Sequence, residues 1–222
     1  MTYQILRLLH IIGAILIGAG LIGVWLSDLR SRQVWDLPRF GEAIRNIAIF
    51  YDGLVVPGAL LLVGSGTWLI VTIYGGWSFH FLKIPWLAGM VVLFTFEFIE
   101  GNTVTRLYFR RLLRLTREAM ATGQLSPTLQ HARSETLPTF THFPDLPLLM
   151  VIVSLGATRP HTWTVFFVGT GVAVLIATAL TILLPHLYPW APAEHPAGSI
   201  HGDIAQQGAG GDGPQRRPGA HS

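Results

Sequence analysis

Residues 91–106, VVLFTFEFIEGNTVTR, place two carboxylates, Glu97 and Glu100, within a strongly apolar run. The run begins near residue 84, and residues 84–104 are enough to cross a bilayer core about 30 Å thick, which needs about 20 helical residues. A charged side chain at the middle of such a helix costs about 2.5–3.5 kcal/mol, so acidic groups there usually face neighbouring helices rather than lipid. The stretch therefore predicts a helical membrane protein with a buried polar site.

The composition of the whole chain supports this class. Of 222 residues, 50% are hydrophobic and 12% are charged, and the mean hydropathy is +0.48. Soluble domains carry about a quarter charged residues. The sequence has no cysteine, which excludes disulfides, thiolate metal sites and cysteine catalysis. It also has no phosphate loop and no two-histidine zinc helix, so nucleotide or zinc-hydrolase chemistry of the soluble type is not indicated.

We predict an all-α fold, a polytopic transmembrane helix bundle with spans at about residues 5–26, 49–74, 84–104, 140–158 and 163–188. The fourth span is the least certain in length, because its apolar core, residues 146–157, covers only about 18 Å. The uncharged residues 136–143 can complete it; otherwise this helix is re-entrant and the bundle has four spans. Asp145, followed by Pro147, resembles a helix N-cap with a first-turn proline.

The distribution of basic residues predicts the orientation of the bundle. With five spans, twelve of the 15 Lys and Arg residues lie on one side. By the positive-inside rule that side is the cytoplasm, and the N-terminus lies outside. Residues 191–222 are rich in Gly, Pro and Ala and lack apolar periodicity, so we predict a bundle domain at 1–190 followed by a disordered tail.

Several polar residues are predicted to meet at the cytoplasmic side. Glu97 and Glu100 share a helix face by the i, i+3 rule. Other polar residues lie at a similar depth on the second and third spans. We predict an intramembrane polar cluster of Asp52, Glu97, Glu100, Asn102 and Arg106. His142 and His186, both at cytoplasmic ends and flanked by prolines, are further candidates for this cluster.

Two interpretations of the polar cluster stay open. It can be a salt-bridged brace between the second and third helices, or it can bind a proton or a cation. The third helix is expected to continue past the bilayer as a basic amphipathic segment with Arg106, Arg110, Arg114 and Arg117 on one face. Its predicted partners are the lipid bilayer and anionic headgroups. Positive-inside topology already explains these arginines, so no nucleic acid partner is predicted.

A histidine near the outer end of the first helix is a second candidate site. Arg7, His10 and Gly13 share a face by their spacing. A histidine beside small residues can let a flat macrocycle lie against the helix, and an arginine can pair with its propionates. The alternatives for His10 are an interhelical hydrogen bond and a haem or metal ligand.

The arrangement Arg7-x-x-His10 also resembles the copper-resistance-D-like (CopD-like) superfamily of bacterial membrane proteins. Residues 1–185 look like its branch of predicted integral membrane proteins of unknown function. The closer likeness lies in FEFIEGNTVTRLYFRR, residues 96–111, and YDGLVVPGALLLVGSG, residues 51–66. The resemblance implies a multi-pass protein of the bacterial cytoplasmic (inner) membrane.

A related branch, the membrane protoporphyrinogen oxidases, is associated with b-type haem on the histidine of the first helix. Carried over, this makes His10 a candidate axial ligand of haem b or a metal, with Arg7 and Gly13 beside it. It implies a redox role with a membrane redox partner or quinone. The sequence departs from that branch at Ile17, where the relatives favour tryptophan.

Three functions therefore remain open at this point. The first is haem-based redox chemistry at His10, and the second is a proton- or metal-linked transporter that uses Glu97 and Asp52. The third is a non-catalytic membrane scaffold or assembly factor. The sequence does not decide whether the protein is an enzyme, and it does not give a substrate.

Overall fold

The computed structural model of the chain describes residues 2–34, 36–74 and 79–188, and the tail predicted at 191–222 lies outside them. All regular structure in these ranges is helical, without strands. The α-helices are α1 (Thr2–Gln33), α2 (Leu37–Phe50), α3 (Val56–Ile73), α4 (Pro85–Glu100), α5 (Arg106–Thr122), α6 (Pro127–Arg133), α7 (Thr136–His142), α8 (Asp145–Thr158) and α9 (Thr164–Leu187). A π-helical segment, Tyr51–Val55, joins α2 to α3, and a second, Gly101–Thr105, joins α4 to α5. A short 3₁₀ helix, Phe79–Lys83, precedes α4.

Five helical stretches are long and apolar enough to cross a membrane, which confirms the predicted fold class. They are Thr2–Gln33, Leu37–Ile73, Pro85–Thr122, Thr136–Thr158 and Thr164–Leu187, and we number them spans 1 to 5. Span 4 reaches 23 residues because α7 precedes α8. At 1.5 Å per residue this is about 35 Å, so its length no longer favours a re-entrant helix.

The first three spans run well past the ends predicted from hydropathy. Span 1 has 32 residues and ends at Gln33 rather than near 26, and span 2 begins at Leu37 rather than 49. Span 3 continues to Thr122 through the predicted basic segment. Hydropathy detects only the part of a helix that lies in hydrocarbon, so it does not detect the polar ends by which these helices extend further. These extensions meet at what we call the arginine-rich end, which holds Arg32, Arg106, Arg110 and Arg133.

Local sequence signals begin and end the helices at this end. The carboxylate of Asp36 accepts the backbone N–H of Arg39 and caps α2. Ser126 caps α6 in the same way, accepting from the N–H of Leu129 at 3.2 Å. Gly123 has a φ of 69°, a left-handed conformation that ends α5 and that glycine adopts without steric cost.

Glycines allow α1 to pack closely along α3. A Cβ atom on Gly13 would lie 2.9 Å from the carbonyl oxygen of Gly58, and a Cβ atom on Gly58 would lie 2.9 Å from that of Gly13. Membrane helices associate through such close backbone contacts because lipid supplies no hydrophobic drive between them. Elsewhere α2 packs against α1 and α5, and α8 packs against α4 and α9.

The largest apolar core lies toward the arginine-rich end. Val24 of α1, Ile44 and Ile47 of α2 and Leu112 of α5 are all buried there, together with Leu129 of α6. Many large apolar side chains of the spans are exposed instead, as expected where lipid is the solvent. The helices below the bilayer region thus pack like a soluble core, and they hold the ends of spans 1, 2 and 3 together.

Candidate functional site

The two π-helical segments lie at the centre of the candidate site. In each, a backbone N–H bonds the carbonyl five residues earlier: Val56 bonds Tyr51, and Arg106 bonds Gly101. The segments face one another, since a Cβ atom on Gly101 would overlap the hydroxyl of Tyr51. Single π turns inside α-helices are rare and occur frequently at functional sites.

Three carboxyl groups from two spans meet beside these segments. Glu97 and Glu100 come from α4 and Asp145 from the start of α8, and we call them the carboxylate cluster. Glu100 is 8% exposed and Asp145 is 6% exposed. The three groups lie close enough to repel one another electrostatically.

The carboxylate cluster is sparsely hydrogen-bonded. The hydroxyl of Thr105 donates to Oε1 of Glu100 at 2.7 Å, and the side chains of Thr141 and Asp145 also approach the Glu100 carboxyl group. Within the part of the chain that the structure describes, the other Glu100 oxygen, Oε2, is buried without a hydrogen-bond partner, and so is Oε1 of Glu97. Buried carboxylate oxygens without donors are costly. These oxygens therefore favour binding something that supplies positive charge or a donor.

A small cavity adjoins the carboxylate cluster. It has a volume of about 40 Å³ and is lined by Tyr51, Phe94, Glu97 and Asp145, among others. A water molecule needs about 10–15 Å³ by this measure and two or more polar partners, so the cavity has room for water beside the carboxyl groups.

His142, the last residue of α7, lies against the cluster. Its side chain is 1% exposed, and its Nδ1 atom is 3.8 Å from Oδ2 of Asp145. The ring is held by aromatic neighbours, with Phe109 in an edge-on arrangement at 5.3 Å and Phe143 also at 5.3 Å between centroids. Among the described residues neither ring nitrogen has a hydrogen-bond partner.

A buried ion pair of α1 lies near His142. Nε of Arg32 donates to Oδ2 of Asp28 at 2.9 Å, within α1, and both side chains are less than a tenth exposed. Both groups act electrostatically on His142. Arg133 of α6 lies nearby, 4.0 Å above the ring of Phe40. Burial lowers the pKa of Arg133 to about 10, with the charge of Arg32 adding to the effect.

Asp52 lies outside the carboxylate cluster, paired with arginines. Its Oδ1 atom accepts from Nε of Arg106 at 3.0 Å and from Nη2 at 2.8 Å, and Arg110 approaches Oδ2 at 3.8 Å. Asp52 is 46% exposed, so this pair resembles a surface ion pair more than a buried one. This ion pair joins spans 2 and 3. It corresponds to the salt-bridged brace that was one interpretation of the predicted polar cluster.

The structure thus divides the predicted polar cluster. Glu97 and Glu100 stay together, whereas Asp52 and Arg106 form a separate pair. Asn102 joins neither group through its amide nitrogen, which donates to the carbonyl of Phe98 in its own helix at 2.8 Å. Asn102 nevertheless lines the small cavity together with Glu97 and Asp145, so it borders the carboxylate cluster while its amide nitrogen bonds its own helix.

Sequence reasoning missed Asp145 as a member of the site. We predicted an N-cap there, but Asp145 is the first residue of α8, Pro144 occupies the cap position, and no side-chain cap bond forms. The available signal was its place inside the predicted span 140–158, because an acidic residue within a span is a site candidate by itself. Tyr51 and Thr105 gave no signal, since both look like ordinary helix residues in sequence.

The face of α1 that carries His10 is covered by α3. The Ser65 hydroxyl donates to the carbonyl of Leu61, so its oxygen is left to accept Nδ1–H of His10 at 3.1 Å. This is the interhelical hydrogen bond that was one alternative for His10. With Nδ1 in this bond, Nε2 is the nitrogen that could act as an axial ligand, but Gly13 packs against the α3 backbone, so a macrocycle could not lie against that glycine. Haem b at His10 stays a prediction.

The carboxylate cluster can chemically bind a proton or a small cation. No group of three or more His, Asp or Glu side chains in the described ranges is arranged to hold a metal ion. Carboxyl groups held in contact can instead share a proton, since ionising all of them would place like charges together in a low-dielectric site. A shared proton is therefore one species that the carboxylate cluster can hold.

The fold and site define a multi-pass integral membrane protein whose helices enclose an acidic site. The chain belongs to the family of predicted integral membrane proteins of unknown function, DUF2269, whose family model matches residues 4–160. That match covers spans 1 to 4 and every residue of the carboxylate cluster. No curated protein and no solved structure is significantly similar to the chain. The copper-resistance-D-like resemblance stays a prediction.

Proposed function

We propose that this protein binds and releases protons at the carboxylate cluster and uses them in proton-linked transport across the membrane. The observation that carries the proposal is that Glu100 and Asp145 are buried beside the half-buried Glu97, with one oxygen each of Glu97 and Glu100 buried and lacking a donor. Among the described residues, the ion-pair contact of the cluster is the 3.8 Å approach of His142 to Asp145. One imidazolium cannot neutralise three carboxylates, and ionising all three would leave net negative charge in a water-poor site, so we infer that the cluster holds a proton.

The position of the cluster suits coupling between helices. Glu97 and Glu100 belong to span 3 and Asp145 to span 4, so loss of a proton adds repulsion between two packed helices. The π segments lie beside this contact, and a π turn can convert to an α turn by shifting its hydrogen bonds by one residue. Proton release can therefore be converted into a movement of span 3 against span 4, as alternating access requires.

Infrared spectroscopy tests proton binding directly. In reconstituted protein at pH 7, we expect the C=O stretch of a protonated carboxyl group, shifted in D₂O. This band should weaken or disappear in Glu97→Gln. Glu118→Gln is the matched control, because Glu118 is 64% exposed on α5 and makes the same chemical change away from the cluster. A wild-type spectrum without this band contradicts the proposal.

Proton flux tests the transport role. Proteoliposomes that enclose a pH-sensitive dye, with potassium and valinomycin to balance charge, should acidify faster than empty vesicles after an external acid step. Glu97→Gln and Asp145→Asn should remove the difference, and Glu118→Gln should keep it. Equal rates for wild type and Glu97→Gln would leave the cluster as a structural brace.

We further infer that the protein lies in the cytoplasmic membrane of a bacterium with its arginine-rich end in the cytoplasm. The support is the positive-inside bias together with the family resemblance. At that end the side chains of Arg110 and Arg114 are 57% and 71% exposed, so they are free to meet anionic headgroups. Removing both should lower binding to vesicles containing anionic lipid, measured by flotation of the basic segment as a peptide.

A further inference from the structure

We infer that His142 carries protons between the carboxylate cluster and Asp28 at the arginine-rich end. This inference rests on the proposed function and names one step by which a proton leaves the carboxylate cluster toward the arginine-rich end. The starting observation is that the His142 side chain is 1% exposed with no hydrogen bond to either nitrogen among the described residues. A buried imidazole usually has a partner for each nitrogen, so an imidazole without one needs an explanation.

Charged groups from three helices lie near His142. Asp145 of α8 is 3.8 Å from Nδ1, and Glu100 of α4 also acts on the ring electrostatically. The Asp28–Arg32 pair of α1 acts on the ring as well, and the Arg32 guanidinium carbon lies 5.7 Å from the centroid of the Phe143 ring that packs against His142. His142 is therefore near the carboxylate cluster and also near Asp28 of span 1.

The ring is held in this position by aromatic packing rather than by polar contacts. Phe109 of α5 and Phe143 fix it at centroid distances of 5.3 Å each. Arg32 extends this arrangement, because its guanidinium carbon lies 5.7 Å from the Phe143 ring centroid. Such packing orients the ring while leaving both nitrogens to exchange protons.

A single proton transfer of this kind is chemically balanced. The carboxyl group of Asp145 gives its proton to Nδ1, and the proton on Nε2 leaves toward the Asp28 carboxylate. The ring returns to neutrality with its proton on the other nitrogen, and a ring rotation or the reverse transfer resets it. The 3.8 Å separation shortens when the carboxyl group turns to donate, as catalytic contacts often do.

The test compares two replacements of His142 with a matched control. His142→Gln keeps a polar side chain but cannot relay a proton, and His142→Phe fills the aromatic pocket. His131→Gln makes the same change at an exposed histidine of α6 near the same end. We expect both His142 variants to slow proton flux into proteoliposomes by about 100-fold and His131→Gln to leave it unchanged.

The infrared band separates this inference from the proposed function. The protonated carboxyl band should persist in His142→Phe, because the cluster still binds its proton. Flux that depends on Glu97 but is unchanged in folded His142→Phe overturns the relay alone. Wild-type flux that does not depend on Glu97 overturns the proposed function and the relay together.

A measurement on the unmodified chain covers the case in which the variants fail to fold. In wild-type protein with ¹⁵N-labelled histidine, the two His142 ring nitrogens should exchange their proton during a pH titration. The change should accompany the change in the carboxyl band. A single fixed tautomer throughout the titration would overturn the inference.

Discussion

Two glycines of α3 give a sharp test of how spans 1 and 2 pack. A Cβ atom on Gly58 would lie 2.9 Å from the carbonyl oxygen of Gly13 and 2.9 Å from the backbone nitrogen of Ile17. A Cβ atom on Gly64 of the same helix would meet nothing within 4 Å. The variants Gly58→Ala and Gly64→Ala therefore add the same methyl group to the same helix, once inside the contact and once outside it.

The expected magnitude follows from two terms. Replacing glycine by alanine within a helix stabilises it by about 0.5–1 kcal/mol, and this term is the same at both positions. Overpacking costs about 1–3 kcal/mol, and it applies only at Gly58, where backbone atoms cannot turn aside as a side chain could. The free energy of unfolding of Gly58→Ala should thus be lower than that of Gly64→Ala by about 1–3 kcal/mol. The helix-propensity term cancels in this difference because it is the same in both variants.

Reversible unfolding in mixed micelles with increasing sodium dodecyl sulfate measures this difference through tryptophan fluorescence. Gly64→Ala should unfold at the same or a higher detergent fraction than wild type, and Gly58→Ala at a lower one. Equal midpoints for the two variants would mean that α1 and α3 do not cross at Gly13 and Gly58, and the helix arrangement described above would then be wrong.

Three further predictions use other contacts. Ser65→Ala should destabilise the bundle by about 0.6 kcal/mol through loss of the bond to His10, whereas Ser154→Ala, whose hydroxyl bonds only Met150 of its own helix, should not. Protein from haem-replete cells should show a Soret band lost in His10→Ala if the predicted haem b binds there, and a colourless preparation would contradict that prediction. The chain has no cysteine, so single cysteines report the orientation of the bundle. The variant His161→Cys should react with an impermeant maleimide from outside intact cells, whereas Arg114→Cys should react only after permeabilisation. The opposite pattern would reverse the predicted orientation.

The number of spans and the basic extension of span 3 were predictable because both depend on composition over many residues. Apolar runs near 20 residues identify spans, and a helix that continues past hydrocarbon keeps its periodicity. The exact ends were not predictable, since spans 1 and 2 extend into a core where Val24 and Ile44 meet other helices. Burial there depends on contacts between distant parts of the chain.

Which residues form the candidate site depends even more on contacts between distant parts of the chain. Asp145 lies 45 positions after Glu100, and its local sequence fits a helix cap as well as it fits a buried acid. Capping is a local pattern and can be recognised without a partner, whereas burial of Asp145 requires knowing that α8 packs against α4. The place of Asp145 inside a predicted span marks it as a candidate, but the glutamates that it meets follow only from the packing of the two helices.

The π segments explain why periodicity alone cannot place the remaining residues of span 3. Within α4, Glu97 and Glu100 obey the 3.6-residue repeat and reach the same site. Beyond Gly101 the repeat is interrupted, so the face of Arg106 cannot be extrapolated from the glutamates, and the structure pairs it with Asp52 instead. A continuous α-helix would carry one register from the bilayer to the arginine-rich end. Span 3 presents acids to span 4 and a base to span 2, and the bond of Arg106 to Asp52 keeps this arginine from neutralising the carboxylate cluster, which stays able to bind a proton.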